Sequence, residues 1–460
     1  MKIYGGYLPK ITGRPSSTVD ELQLPQELSI DLCRGGISYN PVVKNGQRVD
    51  FGETLAETSV LDNRLCLPAP AGGTVALHDE NTVVLENLQG QINPGTSYRP
   101  ERISREQTIK ALSEGGVWPF FWSSKTGGVP SPGADELPQA IVINVVISEP
   151  FRTRGKVILR RSWKRIVEGI KFLPRLIADY GIIYIVLTQV RDPIAQMMVS
   201  DLAGFAWIRF RPVPLRYPVE NQRVLFQAFQ KSEASIHRDS KIWITDVQGI
   251  EAVGACLADG LPVHQRVVVA SGPGHADPRH LAVRIGTPVG AFSQSKNDRP
   301  VRILRGGVFT GQPADPAKDA VQYDDDGFFF LPEVTDREFL SFLRPGFDRT
   351  SYSRTFASSL FGGRDRRLST SLRGERRPCI TCGACENICP ARVLPQVLHR
   401  YIHRELYEEA EKAGLNACVE CGLCSHVCPS KLELLQQFVD AKALLQAERE
   451  EAMETAGRGE

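Results

Sequence analysis

The stretches that decide the fold are two cysteine runs, Cys379-Ile-Thr-Cys-Gly-Ala-Cys-Glu-Asn-Ile-Cys-Pro390 and Cys418-Val-Glu-Cys-Gly-Leu-Cys-Ser-His-Val-Cys-Pro429. Both read Cys-x2-Cys-x2-Cys-x3-Cys-Pro, and together they hold eight of the eleven cysteines. This spacing is typical of a pair of 4Fe–4S clusters, in which the fourth cysteine of each run ligates the cluster of the other run. The sequence therefore predicts two clusters, one held by Cys379, Cys382, Cys385 and Cys428 and the other by Cys418, Cys421, Cys424 and Cys389.

Two other uses of paired cysteines remain open. Zinc can be held by two Cys-x2-Cys pairs, although it has no use for the third cysteine and the Cys-Pro of each run. Disulfides need an oxidising compartment. The remaining cysteines lie singly among apolar residues, which favours burial as small hydrophobes: Cys33, Cys66 and Cys256. Since the clusters already have their thiolates, nearby histidines are expected to be surface or packing residues: His399, His403 and His426.

Length and composition indicate a soluble protein of several domains. A chain of 460 residues holds roughly three or four compact units. Its net charge of +2 favours neither nucleic acid nor an acidic substrate as a partner. No apolar run approaches the about 18–20 residues that span a bilayer, and the start MKIYGGYLPK lacks an apolar signal core. A cytoplasmic location is therefore expected.

Residues 1–100 have the pattern of a β domain. Turn residues fall at Asn45-Gly46 and Phe51-Gly52, and Ala69-Pro-Ala-Gly-Gly73 precedes another strand. This arrangement is typical of a lipoyl-like barrel-sandwich hybrid. No lysine that could carry lipoate or biotin is present in Ser59–Arg64, so a structural module is expected.

Residues 101–260 alternate between helical and apolar strand patterns, which predicts a Rossmann-like α/β domain with a parallel sheet. Ser104 is a suitable N-cap for a first helix over Arg105–Glu114. The other expected elements are strands near Ala140–Ile147, Ile182–Thr188 and Lys241–Thr245 and a helix over Ile250–Leu257.

The C-terminal half divides into three further segments. Residues 261–345 show strands at Arg266–Ala270, Leu281–Ile285 and Val301–Leu304 between Gly-rich turns, which fits a β-grasp domain. Residues 346–378 form an Arg-rich linker, either a solvated connector or a basic strap for an acidic partner or anionic lipid. Residues 379–460 form an α-helical dicluster domain, with one helix through Leu394–Leu406 before a stop at Gly414 and another over Leu432–Arg449.

The domain order resembles a family that includes RnfC and NqrA, a component of the Na+-translocating NADH:quinone oxidoreductase (Nqr); both are related to the NADH- and FMN-binding subunit of respiratory complex I. The likeness covers nearly the whole chain and rests on Pro41–Ala56, Ala69–Val75, Ala111–Phe151, Val267–Pro288 and Arg302–Gly311. The cluster region is similar to RnfC, and the middle is closer to NqrA. The resemblance implies a multidomain α/β and β fold. Its parts are a lipoyl-like barrel-sandwich hybrid, a complex-I-flavoprotein-like α/β domain, an SLBB-like β-grasp domain and an α-helical dicluster ferredoxin.

The chain departs from its flavin-binding relatives at three motifs. Where they have Gly-x-Gly-Gly-Ala-Gly-Phe-Pro-Thr, this chain has Gly115-Gly-Val-Trp-Pro-Phe-Phe-Trp122. Their Asn-Gly-Ala-Glu-Cys-Glu-Pro stands here as Asn144-Val-Val-Ile-Ser-Glu-Pro150, and their Tyr-Pro-x-Gly-x-Glu-Lys as Tyr217-Pro-Val-Glu-Asn-Gln-Arg223. Bulky side chains replace the glycines that let backbone approach the flavin. We therefore expect a closed pocket that binds neither FMN nor NADH, with the aromatic block in the core; a quinone pocket is the alternative for that block.

The resemblance then implies an iron–sulfur subunit of an Nqr/Rnf-like ion-translocating NADH:quinone oxidoreductase. Its two 4Fe–4S clusters would relay electrons to membrane subunits that hold it at the inner face of the cell membrane. No side chain is expected to act as acid, base or nucleophile, because the cofactors carry the chemistry. Two alternatives remain: an RnfC-like catalytic NADH dehydrogenase subunit with FMN in a remodelled site, or a scaffold subunit that contributes to a quinone site.

Overall fold

The computed structural model describes residues 1–8, 11–79, 81–133, 136–188, 192–296, 299–334, 368–370 and 375–457. Most of the Arg-rich linker 346–378 lies outside the described residues, and its role as connector or basic strap stays a prediction. Within the described part of the chain, no helix has both the length and the apolar character needed to cross a membrane.

The N-terminal body is built from short strands joined by tight turns. Strand β1 (Val19–Glu21) precedes it and pairs elsewhere. The strands of the body are β2 (Leu28–Asp31), β3 (Cys33–Arg34), β4 (Ile37–Ser38), β5 (Asn40–Pro41), β6 (Arg48–Val49), β7 (Thr54–Val60), β8 (Asn63–Pro68), β9 (Gly72–Asp79) and β10 (Thr82–Gln89). One sheet has the order β2-β10-β9-β6, a second β5-β7-β8, and β3 pairs with β4 alone. The hairpin between β7 and β8 turns at Leu61 and Asp62, which both have positive φ. No lysine stands at this turn, as the sequence indicated.

The α/β body follows the predicted alternation. Its elements are α1 (Arg105–Glu114), β11 (Trp122–Ser123), β12 (Ala140–Asn144), α2 (Gly155–Phe172), β13 (Ile182–Leu187), α3 (Pro193–Asp201), β14 (Ile208–Pro212), α4 (Gln222–Ser232), β15 (Ile242–Asp246) and α5 (Val247–Leu257). The sheet order is β11-β15-β12-β13-β14, in which β11 is antiparallel and the other strands are parallel. Strand β14 was not predicted, because its sequence Ile-Arg-Phe-Arg-Pro interrupts the apolar pattern at a sheet edge.

Local hydrogen bonding starts helix α1 at the predicted residue. The Ser104 side chain accepts a hydrogen bond from the Gln107 backbone N–H at 3.1 Å, and the Ser104 N–H donates to Gln107 Oε1 at 3.0 Å. This reciprocal capping box gives hydrogen-bond partners to the backbone N–H groups of Ser104 and Gln107, which have none within the helix.

The aromatic block forms part of the core under the parallel sheet. Trp118 and Phe121 are essentially fully buried. Their rings lie 5.4 and 6.0 Å from the ring of Trp243 in β15, and the Trp118 indole N–H donates to the carbonyl of Pro130 at 2.9 Å. The expectation of core packing is confirmed for these two rings.

The third body joins strands from distant parts of the sequence. Its strands are β16 (Gln265–Ser271), β17 (Arg279–Arg284), β18 (Val301–Arg305), β19 (Gln312–Ala314) and β20 (Gly327–Pro332). They form one sheet with the N-terminal strand β1, in the order β1-β17-β16-β20-β18-β19. Strand β1 pairs in parallel with β17, so the chain enters this sheet before it builds the N-terminal body. A local sequence pattern cannot predict a pairing between strands so far apart in the chain.

The C-terminal body is helical. Its helices are α6 (Ala384–Ile388), α7 (Pro395–Ile402), α8 (Tyr407–Lys412), α9 (Leu423–Val427) and α10 (Leu434–Gly457). The single helix expected through Leu394–Leu406 is wrong, because Glu405 has φ +59 and breaks the segment into α7 and α8. Gly414, with φ +97, ends the second of these helices as expected. Buried side chains of Leu398, Leu415, Leu423 and Phe438 hold the helices together.

Candidate iron–sulfur centre and adjoining cleft

The two cysteine runs adopt the same backbone conformation. Gly383 and Gly422, at equivalent positions, have φ +72 and +73 and directly precede the one-turn helices α6 and α9. The positive φ angles of Thr381 and Glu420 match in the same way, at +53 and +54. The equivalence continues beyond the Cys-Pro pair, where Arg392 and Lys431 have φ +59 and +56. Each run is therefore a copy of one loop that turns sharply between successive cysteines.

The loops surround two cavities, and each cavity receives one cysteine from the opposite run. The first cavity contains about 370 Å³ of empty space, and the second about 340 Å³. The first is lined by Cys379, Cys382, Cys385 and Cys428. The second is lined by Cys418, Cys421, Cys424 and Cys389. The structure thus brings the eight predicted ligands together in two sets of four; their role as ligands stays a prediction.

The chemistry of each donor set fits an iron–sulfur cluster. All eleven cysteines are free, so none is used in a disulfide. Burial raises the pKa of the Cys385 thiol to about 11 and that of Cys421 to about 12, and it also raises the pKa of Cys424. A coordinated metal stabilises the thiolate that the apolar surroundings disfavour. Among the described residues, no three His, Cys, Asp or Glu side chains are grouped as for a single metal ion.

The cysteines outside the two runs divide into two groups. Cys66 and Cys256 are buried, as expected, and burial raises the pKa of the Cys256 thiol to about 12. The expectation is wrong for Cys33, which is exposed. Cys33 lies in the two-residue strand β3, whose alternating side chains bury Arg34 instead.

The three histidines near the clusters make packing contacts. His399 Nδ1 lies 2.7 Å from Gln437 Oε1, and its ring stacks on His403 at 5.9 Å. The His426 ring lies 5.0 Å from Phe309 and 5.7 Å from Tyr7. These contacts agree with the expected packing role.

A junction of three bodies closes over the second cysteine run. The Tyr217 hydroxyl, from the α/β body, donates to the backbone carbonyl of Cys421 at 2.7 Å. Its ring stacks on Phe309 of the β18–β19 loop at a centroid distance of 4.7 Å. Asn221 Nδ2 reaches the carbonyl of Val419 at 3.4 Å. The second run is therefore enclosed by the α/β body and the third sheet.

Glu149 anchors the loop that carries Phe309. Its carboxylate is buried and accepts hydrogen bonds from the backbone N–H groups of Phe309 and Thr310 at 2.9 and 3.1 Å. Burial raises the pKa of Glu149, while Arg152 and these hydrogen bonds oppose the shift. Gly307 is required beside it, because a Cβ there would lie 2.0 Å from the Glu149 carboxyl carbon.

A cleft with about 1090 Å³ of empty space opens at the carboxyl ends of β12 and β15, beside this junction. Ligands bind at this edge of open α/β sheets. The prediction of a closed pocket is therefore wrong in part. Trp118 and Phe121 are buried in the core, whereas Pro119 and Phe120 line the cleft without filling it. Phe120 is held aside under the guanidinium groups of Arg34 and Arg266, 4.4 and 4.8 Å from its ring centroid.

Acidic side chains dominate the cleft. Five carboxylates face two arginines among the lining residues: Glu149, Glu220, Asp246, Asp324 and Asp326 against Arg152 and Arg266. Arg152 is already paired, because its guanidinium contacts Asp326 at 2.6 Å and Glu149 at 3.6 Å. Asp324 is likewise paired, with Arg34 at 2.8 Å, and burial raises the pKa of both Glu149 and Glu220. Most of the charge in the cleft is therefore already compensated within the chain.

Sequence reasoning did not identify Glu149 and Glu220 as structural partners. Both lie in the segments that were compared with flavin motifs. The Glu220 carboxylate accepts hydrogen bonds from the backbone N–H groups of Ser148 and Glu149, at 3.2 and 2.6 Å, and so joins these two segments. Glu149 stands where the flavin motif has its second glutamate, whereas Glu220 stands at the position of the other motif's glycine, so only Glu149 could have been found from the sequence.

Comparison with known proteins first defines the class of the C-terminal body. Residues 376–432 match the family model described as a 4Fe-4S dicluster domain. This match supports iron–sulfur clusters in the two cysteine runs.

Most of the chain is also similar to one subunit of an NADH-quinone reductase. It is 25% identical over 425 residues to NqrA of the Na(+)-translocating NADH-quinone reductase of Cellvibrio japonicus, covering 90% of this chain and 92% of that protein. The NqrA protein of Rhodopirellula baltica is 26% identical over 395 residues, covering 83% of each chain. A solved NAD+-reducing [NiFe]-hydrogenase in its air-oxidized state aligns with 50% of this chain and 48% of its own, at a TM-score of 0.38 and 14% identity.

Proposed function

We propose that this chain is an iron–sulfur electron-transfer subunit of an Nqr/Rnf-like NADH:quinone oxidoreductase complex. The observation that carries the proposal is the sorting of eight cysteines into two cavities of four, each completed by a cysteine from the opposite run. Bound 4Fe–4S clusters would supply one-electron oxidation and reduction at each cavity. The similarity to the NqrA proteins of Na(+)-translocating NADH-quinone reductases supports a place in such a complex.

The cluster domain is of the RnfC type in this proposal. Cys379, Cys382, Cys385 and Cys428 hold one cluster, and Cys418, Cys421, Cys424 and Cys389 hold the other. The protein positions the thiolates through the paired αL turns and shields the second cluster with Tyr217 and Phe309. Partner subunits in the membrane hold the chain at the cytoplasmic face.

Neither FMN nor NADH binds this chain in the proposal. The reason is electrostatic, because the aromatic block leaves the cleft open. FMN and NADH carry phosphate groups, and both arginines that line the cleft are already engaged, Arg152 with Asp326 and Arg266 with the carbonyl of Asp325. Flavin and dinucleotide sites instead offer phosphates the backbone N–H groups of Gly-rich turns.

The openness of the cleft favours a second candidate, an RnfC-like catalytic NADH dehydrogenase subunit with FMN in a remodelled site. Anaerobic purification of the full chain separates the two functions. The proposed function predicts acid-labile sulfide, clusters that dithionite reduces, no extractable flavin and no bleaching by NADH. Extracted FMN together with cluster bleaching by NADH would establish the second candidate, and absent sulfide would eliminate both.

A further inference from the structure

The two cysteine runs have the same backbone but different surroundings, and this difference gives the two clusters different positions in the molecule. Gly422 of the second run packs so closely that a Cβ would lie 2.6 Å from the Phe309 carbonyl oxygen. At the equivalent Gly383 of the first run, no atom of the described residues lies within 4 Å of such a Cβ.

The side chains between the first two cysteines of each run show the same contrast. Val419 is 8% exposed, whereas the equivalent Ile380 is 64% exposed. Cys382 is exposed, and its counterpart Cys421 is partly buried under Tyr217. Other parts of the chain therefore cover this loop in the second run, whereas the equivalent loop of the first run is open to a partner protein.

The position of the cleft also distinguishes an inner from an outer cysteine run. Val419 and Cys421 line both the second cavity and the acidic cleft, so one loop separates them. The residues around the first cavity are all different from those around the cleft. The second cluster is thus the inner one, and the first is the outer one.

We propose that the open face of the first run, centred on Ile380 and Cys382, is the docking surface for a redox protein that exchanges electrons with the outer cluster. This inference rests on the proposed function. Each transfer moves one electron and changes no bond: the outer cluster is oxidised as a one-electron centre of the partner is reduced, or the reverse. The inner cluster communicates with the partner only through the outer one.

The character of the face indicates the chemistry of the partner. A large exposed aliphatic side chain lies at its centre. The charges that flank Ile380 in the sequence balance in sign, Glu375 and Glu386 against Arg376 and Arg377, and Arg376 is paired with Glu433. Recognition therefore depends on apolar contact over the cluster, and the partner presents an apolar patch close to its own redox centre. Small interfaces of this kind suit transient electron transfer.

The test compares Ile380→Glu with Leu444→Glu in the full chain. Leu444 is a matched control, since it is an exposed leucine (47%) on α10 of the same body. Each protein is reduced with dithionite and desalted without oxygen. It is then reoxidised either by inverted membrane vesicles from cells that lack its gene or by ferricyanide. Electron paramagnetic resonance of the reduced clusters is recorded first, because missing signals in the unchanged chain would contradict the proposed function itself.

We expect Ile380→Glu to slow reoxidation by the vesicles about tenfold, because a buried charge in a docking patch weakens association. Because ferricyanide is an anion, its unchanged reaction is judged on the neutral variant Ile380→Ser, which it should reoxidise at a rate within about twofold of the unchanged chain, as should both oxidants with Leu444→Glu. Where Ile380→Glu loses its cluster signals, Ile380→Ser replaces it and should show the same pattern.

Three results would overturn the docking surface while leaving the proposed function intact. The first is a normal vesicle rate for Ile380→Glu with both cluster signals present. The second is an unchanged chain that the vesicles do not reoxidise. The third is a faster ferricyanide reaction in Ile380→Glu, which would mean that residues of the same chain or a second copy cover the face.

Discussion

Single side chains at the junction decide how the second cysteine run is held. Tyr217 is 2% exposed and comes from a segment that resembles a motif of the flavin-binding relatives. In the structure its hydroxyl instead binds the carbonyl of Cys421. Burial raises the pKa of this hydroxyl well above its ordinary value, so it remains a hydrogen-bond donor at neutral pH.

Replacing Tyr217 with Phe should leave the Cys421 carbonyl without a partner. Loss of a buried hydrogen bond of this kind lowers the free energy of unfolding by about 1–3 kcal/mol. Urea unfolding followed by circular dichroism measures the effect, and cluster absorbance followed during the same titration should decline at lower urea. Tyr180→Phe is the matched control, because Tyr180 is fully exposed and should show no change. Equal stabilities for the two variants would contradict the role of Tyr217.

The free energy of unfolding should depend on pH through the buried carboxyl group of Asp325. Burial raises its pKa from 3.8 to about 6, and the nearby Arg305 only partly offsets this. Between these two values the unfolded chain loses the proton while the folded protein keeps it. The Asp325 contribution to stability is therefore complete below about pH 4 and is lost as pH rises to about 6, with a total of about 3 kcal/mol.

Asp325→Asn should remove this loss. Its amide oxygen can still accept the hydrogen bond from the Gln322 backbone N–H, which is 2.8 Å from Asp325 Oδ2. The free energy of unfolding of the variant minus that of the unchanged chain should rise between pH 4 and 6 and then level. Because the difference removes the contributions of other titrating groups, a flat difference curve would show that Asp325 titrates normally.

At the scale of elements, the duplicated loop provides an internal control for backbone strain. Gly383→Ala and Gly422→Ala both place a Cβ on an αL residue, which lowers stability by about 1–2 kcal/mol. Only Gly422→Ala also brings that Cβ against the Phe309 carbonyl. We expect Gly422→Ala to be less stable than Gly383→Ala by roughly a further 1–3 kcal/mol, since overpacking displaces backbone. Thermal unfolding with cluster absorbance as the signal compares the two, and equal midpoints would mean that the loops have equivalent surroundings.

Elements with strong local signals were predictable from the sequence, and those fixed by tertiary contacts were not. The N-cap at Ser104 and the three central strands carry their own information, because capping and apolar runs act over a few residues. Strand β1 could not be placed, since its partner β17 lies some 260 residues away. The two sets of four cysteines could be predicted from the spacing alone. The cleft could not be predicted, because it depends on the directions in which the Trp118 and Phe120 side chains point.

At the scale of the whole molecule, the proposed clusters and the tryptophans give spectroscopic signals from different bodies. All five tryptophans lie between residues 118 and 243, in the α/β body. Removing the clusters with ferricyanide and EDTA should abolish visible absorbance and reduce helical circular dichroism from α6–α10. Tryptophan emission should change little, because the core around Trp118 and Trp243 contains no cluster ligand. A large red shift of the emission on cluster removal would show that the α/β body depends on the clusters for its fold.

The enclosure of the second run also bears on how the C-terminal body can be handled as a separate piece. Excised at residue 375, that body would expose the backbone carbonyls of Val419 and Cys421 to water, because their partners Asn221 and Tyr217 would be removed. Oxygen and stray metal ions would then reach the thiols of the second cavity as readily as those of the first. Anyone transplanting this dicluster module into another redox protein should therefore bring along a surrogate for Tyr217 and the Phe309 loop.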